Sequence, residues 1–385
     1  MTELYSVICS AVEGASALRL IVNLKPATAD GLVYPPTYEG GTHIFRPAWV
    51  DGEKRRAVLL DSVQSQSNRI EMAILDAYRR GSLPYPDIKL VVKSATGEES
   101  YSVLELSHRV YDAALRLSKS DGVLFAQSEI GKAIYAARAD KATALFREAP
   151  VTLALGGWDS HGRGGPLVSK LPRLITSEII GLDAEPVSRG AVKFDPMDIR
   201  KEAGPIFRSK EPDRLFEIDK AKASEKREYK PSEVGLGNVP NFSERGAVIT
   251  EAVQTSVVSC GAVRRLRFEL DGGFYDDGRD KSGQTAIVAL ALFGLFAQME
   301  SGYYLRSGCD LFPTQEPKVE IIGRTLEEIN AHPISASDAR EALSQAIDDA
   351  KSHGLEWRKE AITAEADERL ITLVERSRTS INEGV

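Results

Sequence analysis

Residues 59–71 read Leu59-Leu60-Asp61-Ser62-Val63-Gln64-Ser65-Gln66-Ser67-Asn68-Arg69-Ile70-Glu71. The apolar residues 57–60, which overlap the start of this string, are typical of a β-strand. From residue 62 to residue 80, apolar side chains recur at helical spacing, at Ile70, Ala73, Ile74 and Ala77. Gly81 and Pro84 end this pattern. A strand that leads directly into an amphipathic helix indicates a domain that mixes α and β structure.

The rest of the chain alternates in the same way. Its pattern predicts strands over residues 17–24, 88–92, 151–155, 264–270 and 318–322. It predicts helices over residues 107–118, 130–148, 282–299, 336–352 and 355–378, with Gly354 between the last two. We therefore expect α+β or α/β structure and neither a helical bundle nor a β-sandwich.

Two segments differ from this pattern. Residues 193–230 carry 11 basic and 9 acidic side chains with little apolar periodicity, which favours an extended or mobile insertion. Residues 325–385 carry 13 acidic and 7 basic side chains. We expect one elaborated domain over residues 1–324, followed by an acidic helical segment over residues 325–385.

The composition is that of a folded globular protein. Of the 385 residues, 42% are hydrophobic and 27% are charged, and the first twenty show no basic leader with an apolar core. The longest apolar run, residues 286–297, is too short to cross a bilayer and indicates a buried helix. We expect a cytoplasmic protein in which Cys9, Cys260 and Cys309 are buried free thiols.

The net charge of −7 argues against a nucleic-acid-binding protein, because such proteins usually carry a basic excess. The distribution of charge weakens this objection. Residues 1–324 carry 43 acidic and 42 basic side chains, so the main body is nearly neutral. A neutral body can still present a local basic groove.

The helix that begins near residue 62 is crowded with small hydrogen-bonding side chains. Its first N–H groups and the positive end of its dipole suit a phosphate, and the nearby Gln66, Asn68 and Arg69 can contact sugar and phosphate oxygens. The simpler interpretation is that Asp61 or Ser62 caps the helix and the polar side chains face water. The pattern alone favours the simpler interpretation.

Two glycine-rich loops are further candidates. Residues 34–43 combine aromatics, prolines and paired glycines, which suits either base stacking or an ordinary turn. Residues 156–166 contain His161 and Arg163 between glycines, and Lys170 and Arg173 follow. Such a loop can wrap a phosphate backbone, but it is not a Walker loop because no Gly-Lys-Ser/Thr ends it.

Charged residues near residue 270 are open to two interpretations. A strand over residues 264–270 places Arg265, Arg267 and Glu269 on one face, which either meets RNA or faces solvent. Asp276, Asp277 and Asp280 cluster nearby, but beside paired glycines such a cluster is more typical of a turn than of a magnesium site. The five histidines are scattered, so we expect no metal and no cofactor.

Several strings taken together resemble a known family. They are Pro35 to Gly41, Leu59 to Arg69, Gly157-Trp158-Asp159-Ser160 with Lys170, Arg173 and Ser177-Glu178-Ile179, Gly235 to Pro240, and Arg264 to Phe268. Their order and spacing are similar to those of the Csb-type RAMP protein, the Cas-seven backbone subunit of type I-U (I-G) CRISPR Cascade. The resemblance covers roughly residues 17–322. Its most specific part is Asp-Ser-Val-Gln-Ser-Gln-x-Asn-Arg.

The resemblance implies an α+β fold: a ferredoxin-like (RRM-like) RAMP palm with inserted finger and thumb elements and C-terminal helices. Residues 193–230 are the candidate finger, and residues 235–260 the candidate thumb. Copies of such a protein polymerise head to tail along crRNA, beside other Cascade subunits, and the guide pairs with target DNA. No catalytic residue, no cofactor and no membrane contact are implied.

Guide-RNA contact carries over to a short set of positions. It carries over to Ser65, Gln66, Asn68 and Arg69, and then to His161, Arg163, Lys170 and Arg173, while Arg265 and Arg267 are added from the strand pattern. Two alternatives remain open: a RAMP-type ribonuclease that uses His161 or the aspartate cluster, and a metabolic α/β enzyme with a phosphate loop over residues 156–165. Neither accounts for the whole set of strings.

Overall fold

Helices and strands alternate along the chain in the computed structural model, which describes residues 2–159, 170–193, 195–200, 203–211, 214–237, 239–323 and 329–383. The α-helices within these ranges are α1 Glu3–Gly14, α2 Val63–Arg79, α3 Ala113–Arg116, α4 Glu129–Ala136, α5 Thr143–Glu148, α6 Pro150–Leu155, α7 Cys260–Val263, α8 Asp277–Glu300, α9 Ala336–Ser352 and α10 Glu368–Glu383.

The strands within the same ranges are β1 Ala17–Pro26, β2 Leu32–Val33, β3 Phe45–Val50, β4 Glu53–Asp61, β5 Ile88–Ser94, β6 Gly97–Ser102, β7 Ser118–Ser120, β8 Val123–Leu124, β9 Gly157–Trp158, β10 Lys170–Leu171, β11 Ile175–Leu182, β12 Glu185–Lys193, β13 Phe207–Arg208, β14 Phe216–Glu217, β15 Val239–Val248, β16 Glu251–Ser259, β17 Tyr303–Arg306, β18 Cys309–Pro313, β19 Lys318–Ile322, β20 Ile329–Pro333 and β21 Ile362–Ala366.

The central sheet has the order β17-β18-β1-β16-β11-β4-β3, and β19 pairs with the first half of β1 and with β20. Neighbouring strands in this sheet are antiparallel. The expected mixture of strands and helices is therefore confirmed as an α+β architecture. Along β1, burial alternates with period two, because one face of the sheet packs against helices.

Helix α8 forms the centre of that helical layer. It packs against α1, α2, α6 and α9, and 89% of the residues in its most apolar 18-residue stretch are buried. By length and composition it could cross a membrane, but its place inside the protein is that of a core helix. Gly294 permits the close approach of α2, since a Cβ at this position would lie 2.8 Å from side-chain atoms of Ile70 and Ile74.

A polar network is buried where α2 leaves the sheet. Asp61 is fully buried, and its carboxylate accepts hydrogen bonds from Ser65 Oγ (2.7 Å), Gln66 Nε2 (2.6 Å) and Arg69 Nε (3.0 Å). Arg306 donates to the Leu60 carbonyl at 2.7 Å and lies 3.5 Å from the same carboxylate. The network joins β4, α2 and β17, so it fixes the start of α2 relative to the sheet.

A second sheet has the order β6-β5-β21-β7-β8 and draws on the acidic C-terminal segment. The predicted helix over residues 355–378 is wrong in its first half, because β21 lies there and pairs in parallel with β5. Burial alternates along β21, with Ile362 and Ala364 inward, which is a strand period and not a helical one. The C-terminal segment is thus part of the folded body.

Other local predictions are corrected by tertiary packing. Residues 150–155 form helix α6 and not a strand, and a short apolar run of this kind is ambiguous between the two because all of it is buried. Residues 264–270 form no strand. Arg264 donates to the carbonyls of Val12 and Ala15 instead, both at 2.9 Å. The predicted helices over 107–118 and 130–148 are interrupted by irregular segments.

The polar segment 193–230 is more ordered than its composition suggests. Within its described residues, β13 and β14 form a small hairpin, and Phe207 and Tyr229 are buried. Arg208 lies over the Tyr229 ring, with its guanidinium carbon 5.7 Å from the ring centroid. Cation–π contacts therefore help a charge-rich segment to fold. Whether this segment acts as a finger stays a prediction.

The structure divides the candidate thumb, residues 235–260, between two sheets. Its second half is β16, which lies between β1 and β11 in the central sheet. Its first half contains β15, which pairs with β12 and β2 in a separate three-stranded sheet. A thumb can therefore include β15 but not β16.

Packing of α2 against α8 can be tested at Gly294. We expect Gly294→Val to lower the free energy of unfolding by about 1–3 kcal/mol, because the added methyl groups overlap buried isoleucines. Gly14→Val is the matched control, since nothing lies within 4 Å of a Cβ at that position. Denaturant unfolding measures both variants. Equal stability of the two would contradict the close contact.

The buried carboxylate gives a second test. We expect Asp61→Asn to lower the free energy of unfolding by about 2–3 kcal/mol, below the roughly 3–5 kcal/mol of a fully buried ion pair because Arg69 and Arg306 are partly exposed. Asp277→Asn serves as control, since the Asp277 side chain is 93% exposed. A variant at Asp61 as stable as the control would show that the network contributes little.

Candidate nucleic-acid interface

The start of α2 is capped by its own side chains. Ser62 is the N-cap residue, and its hydroxyl accepts from the Ser65 backbone N–H at 3.3 Å. Ser65 is half-buried and donates to Asp61, while Asn68 is exposed. The structure therefore agrees with the simpler interpretation for Ser62, which caps the helix. The Ser65 N–H is thus satisfied by the cap and is not available to a phosphate.

Gln66 does not belong to a contact surface. It is fully buried, its Nε2 donates to Asp61, and its Oε1 accepts from Ser177 Oγ (2.9 Å) and Gln254 Nε2 (2.8 Å). The prediction that Gln66 contacts RNA is thus contradicted by its position in the interior. The sequence could not separate it from its exposed neighbours, because a glutamine on the inner face of a helix has no apolar signature.

Arg69 has a structural role at the edge of the network. Besides the bond to Asp61, it donates to the carbonyls of Tyr304 (3.2 Å) and Leu305 (2.7 Å). Its side chain is 28% exposed, so one edge remains accessible. Arg69 therefore holds α2 against β17 and can offer at most part of its guanidinium to a ligand.

Three of the predicted contact residues line one cleft, which we call the α2 cleft. It has a volume of about 670 Å³ and lies between α2, the end of α8 and α9. Ser65, Asn68 and Arg69 share it with two further arginines, two carboxylates and a buried amide: Arg80, Arg340, Asp76, Glu300 and Gln298. Arg340 was missed from the sequence, because it belongs to the acidic segment that carries no part of the resemblance.

The glycine-rich loop presents a second group. His161 and Arg163 lie outside the described residues. Before and after them, β9 and β10 form a short antiparallel ribbon in which Lys170 lies opposite Trp158. Trp158 is 61% exposed, and Lys170 is exposed as well. A lone tryptophan among glycines was the signal for this aromatic, which was not among the predicted site residues.

The base of this ribbon is fixed by buried charges. Asp159 accepts from Arg116 at 2.7 Å, and Arg109 donates to the Gly156 carbonyl at 3.0 Å while it pairs with Glu71 of α2. Burial raises the pKa of Glu71, and the charge of Arg109 opposes this effect. The Arg109–Glu71 ion pair therefore connects the base of the ribbon to α2.

Arg173 also lies at the base of the ribbon. Its Nε donates to the Leu155 carbonyl at 3.2 Å. Burial, and then the charge of Arg109, lower its pKa from the ordinary arginine value. Arg173 is therefore packed at the base of the ribbon and is less available to a ligand than Lys170.

Arg265 and Arg267 are not brought together on a sheet face. Arg267 pairs with Asp280 at 2.6 Å and lies over the Tyr275 ring, whereas Arg265 is exposed on a turn. Asp280 is buried and also accepts from the Phe268 N–H, and Asp276 caps α8. These carboxylates thus have structural partners. Among the described residues, no group of three or more His, Cys, Asp or Glu side chains is arranged to hold a metal ion.

Comparisons with known proteins give one family match. Residues 18–186, somewhat less than half of the chain, match the family model described as CRISPR-associated protein GSU0053. This span includes all of β1 except Ala17, the whole of α2, and the ribbon formed by β9 and β10. The comparison with curated proteins found no match.

Among solved structures, the chain is similar to Csc2 of Thermofilum pendens. The alignment has 9% sequence identity and a TM-score of 0.35, and it covers 96% of this chain and 92% of that chain. This score is too low to establish a shared fold. The family match alone therefore assigns the chain, over residues 18–186, a similarity to CRISPR-associated proteins.

Proposed function

We propose that this protein is a non-catalytic backbone subunit of a type I-U (I-G) CRISPR Cascade complex, of the Csb-type, Cas-seven kind. It binds crRNA, polymerises along it head to tail with other copies of itself, contacts other Cascade subunits and supports pairing of the guide with target DNA. The observation that carries the proposal is the match of residues 18–186 to a CRISPR-associated family, since this span includes α2 and the Trp158 ribbon. We expect it to act in the cytoplasm.

The order of the central strands supports a ferredoxin-like palm within this proposal. Six elements follow one another along the chain as β1, α2, β11, β16, α8 and β19, with other elements inserted between them. In the sheet their strands lie in the order β19-β1-β16-β11. A β-α-β-β-α-β succession in one antiparallel sheet is the ferredoxin-like arrangement. On this interpretation, β12 and β15 are an inserted thumb and residues 193–230 an inserted finger.

The chemistry of the exposed side chains suits contact with a nucleic-acid backbone. Trp158 offers a flat ring on which a base of any sequence can stack, and Lys170 opposite it offers a cation to phosphate. Asn68 and Arg340 of the α2 cleft can contact sugar and phosphate oxygens. None of these contacts reads a sequence, which fits a protein that leaves recognition to base pairing.

The ribonuclease alternative makes a different demand. It requires an acid, a base or a metal at the bound RNA. Asp276, however, already accepts from a backbone N–H, and Asp280 accepts from a backbone N–H and from Arg267. His161 and Asp277, whose side chain is 93% exposed, are then the remaining candidates. Cleavage of a guide precursor by purified protein that is lost in His161→Ala or in Asp277→Ala would support the alternative. Uncut precursor would support the backbone role.

The proposal is tested by purifying the protein from cells that also express a CRISPR array. We expect a large assembly that contains guide RNA of uniform length. A nucleic-acid-free monomer that does not bind added guide RNA would overturn the proposal. A small-molecule phosphate that raises the unfolding temperature of such a monomer would point to the metabolic alternative.

The ribbon provides a residue-level prediction. We expect Trp158→Ala to weaken binding of single-stranded RNA by about 1–3 kcal/mol, because one stacked base is lost. Trp49→Ala is the matched control: Trp49 is 73% exposed and also lies opposite a lysine, Lys54, but on the edge strand β3. Fluorescence anisotropy with a labelled RNA measures both. Equal affinities for the two variants would remove Trp158 from the interface.

A further inference from the structure

Gln298, in the last turn of α8, carries a buried oxygen that the fold leaves without a partner. The residue lines the α2 cleft and is 4% exposed. Its Nε2 donates to Gln66 Oε1 at 3.2 Å, while Oε1 has no hydrogen-bond partner in the part of the chain that the structure describes. An unsatisfied buried acceptor costs about 1–3 kcal/mol, so it requires an explanation.

The hydrogen-bond network fixes which end of this amide is the oxygen. The Asp61 carboxylate only accepts, so Gln66 presents its Nε2 to Asp61 and its Oε1 to the other side. That oxygen already accepts from Ser177 and Gln254. Gln298 must therefore direct its own Nε2 at Gln66, since the flipped amide would bring two acceptor oxygens together. The remaining end of Gln298 is an acceptor.

The same cleft contains an unpaired cation. Of its three arginines, Arg69 pairs with Asp61, and Arg80 pairs with Asp76 at 2.8 Å. Arg340, from α9, is exposed and has no ion-pair partner among the described residues. The α2 cleft thus combines a free positive charge with an acceptor that requires a donor. A phosphate satisfies only the first of these, because it has no donor to offer.

We propose that the α2 cleft binds a ribose-phosphate unit of an RNA backbone and distinguishes it from DNA. Arg340 holds the phosphate, and Gln298 Oε1 accepts a hydrogen bond from the ribose 2′-hydroxyl, the backbone donor that DNA lacks. This inference rests on the proposed function, because it takes RNA as the ligand. Sugar and phosphate are present at every nucleotide, so the contact is independent of sequence.

Two features of the cleft bear on how the ribose-phosphate unit enters. Oε1 is covered in this structure, so the ribose reaches it only after side chains of the cleft move. Met72 lines the cleft, and its unbranched, flexible side chain adapts easily to a neighbour. Glu300 also lines the cleft and repels a phosphate. Removal of its charge should therefore strengthen binding, which gives a test opposite in sign to removal of Arg340.

The experiment measures the affinities for an RNA oligonucleotide and for the 2′-deoxy oligonucleotide of the same sequence. We expect wild-type protein to prefer RNA about 5- to 10-fold, the effect of roughly one net hydrogen bond. Gln298→Leu should bring this ratio towards one by weakening RNA binding alone. Arg340→Gln should weaken both ligands and lower the salt slope by about one. Glu300→Gln should strengthen both.

Arg376→Gln, at an exposed arginine of α10, is the control for loss of one positive charge. If Gln298→Leu fails to fold, wild-type protein with RNA that carries single 2′-O-methyl groups replaces it, since methylation removes the donor. Protein that binds RNA but shows no preference, or a preference that Gln298→Leu leaves unchanged, overturns this inference and leaves the proposed function standing. Protein that binds no RNA overturns the proposed function itself.

Discussion

Burial of the Asp61 carboxylate is the constraint on which the rest of the structure depends. A charge removed from water has to be matched by donors, and here they come from two elements, the first turns of α2 and the edge strand β17. The same donors are side chains that a solvent-exposed helix could have offered to a ligand. The polar string of α2 therefore divides into an inner set, centred on Gln66, and an outer set, centred on Asn68.

The sequence predicted elements well where one periodicity was sustained. The strand at Ala17, helix α2, the apolar helix α8 and helix α9 were all located, because each buries one face or all of its surface. Short apolar runs were misassigned. Residues 150–155 are fully enclosed, so neither period shows, and residues 264–270 are fixed by Arg264 bonds to distant carbonyls that no local pattern encodes.

Prediction of the site was likewise limited by contacts between residues that are distant in the sequence. Ser65, Asn68 and Arg69 were placed together because they share one helix, and the structure does bring them to one cleft. Arg340 and Gln298 reach that cleft only through tertiary packing, so no spacing rule could have joined them to α2. Conversely, Arg173 and Arg267 look like free cations in the sequence, whereas folding assigns them to the Leu155 carbonyl and to Asp280.

The pairing partners of β1 have a consequence for folding during synthesis. β1 pairs with β16 on one edge and with β18 and β19 on the other, so Ala17 meets Ser259 and Ile322. A ribosome must therefore complete most of the chain before either edge of β1 is covered. Until then, both edges of β1 can pair with other nascent chains. The slow, non-local pairing of β1 is therefore the folding step at which aggregation is most favoured and at which chaperones matter most.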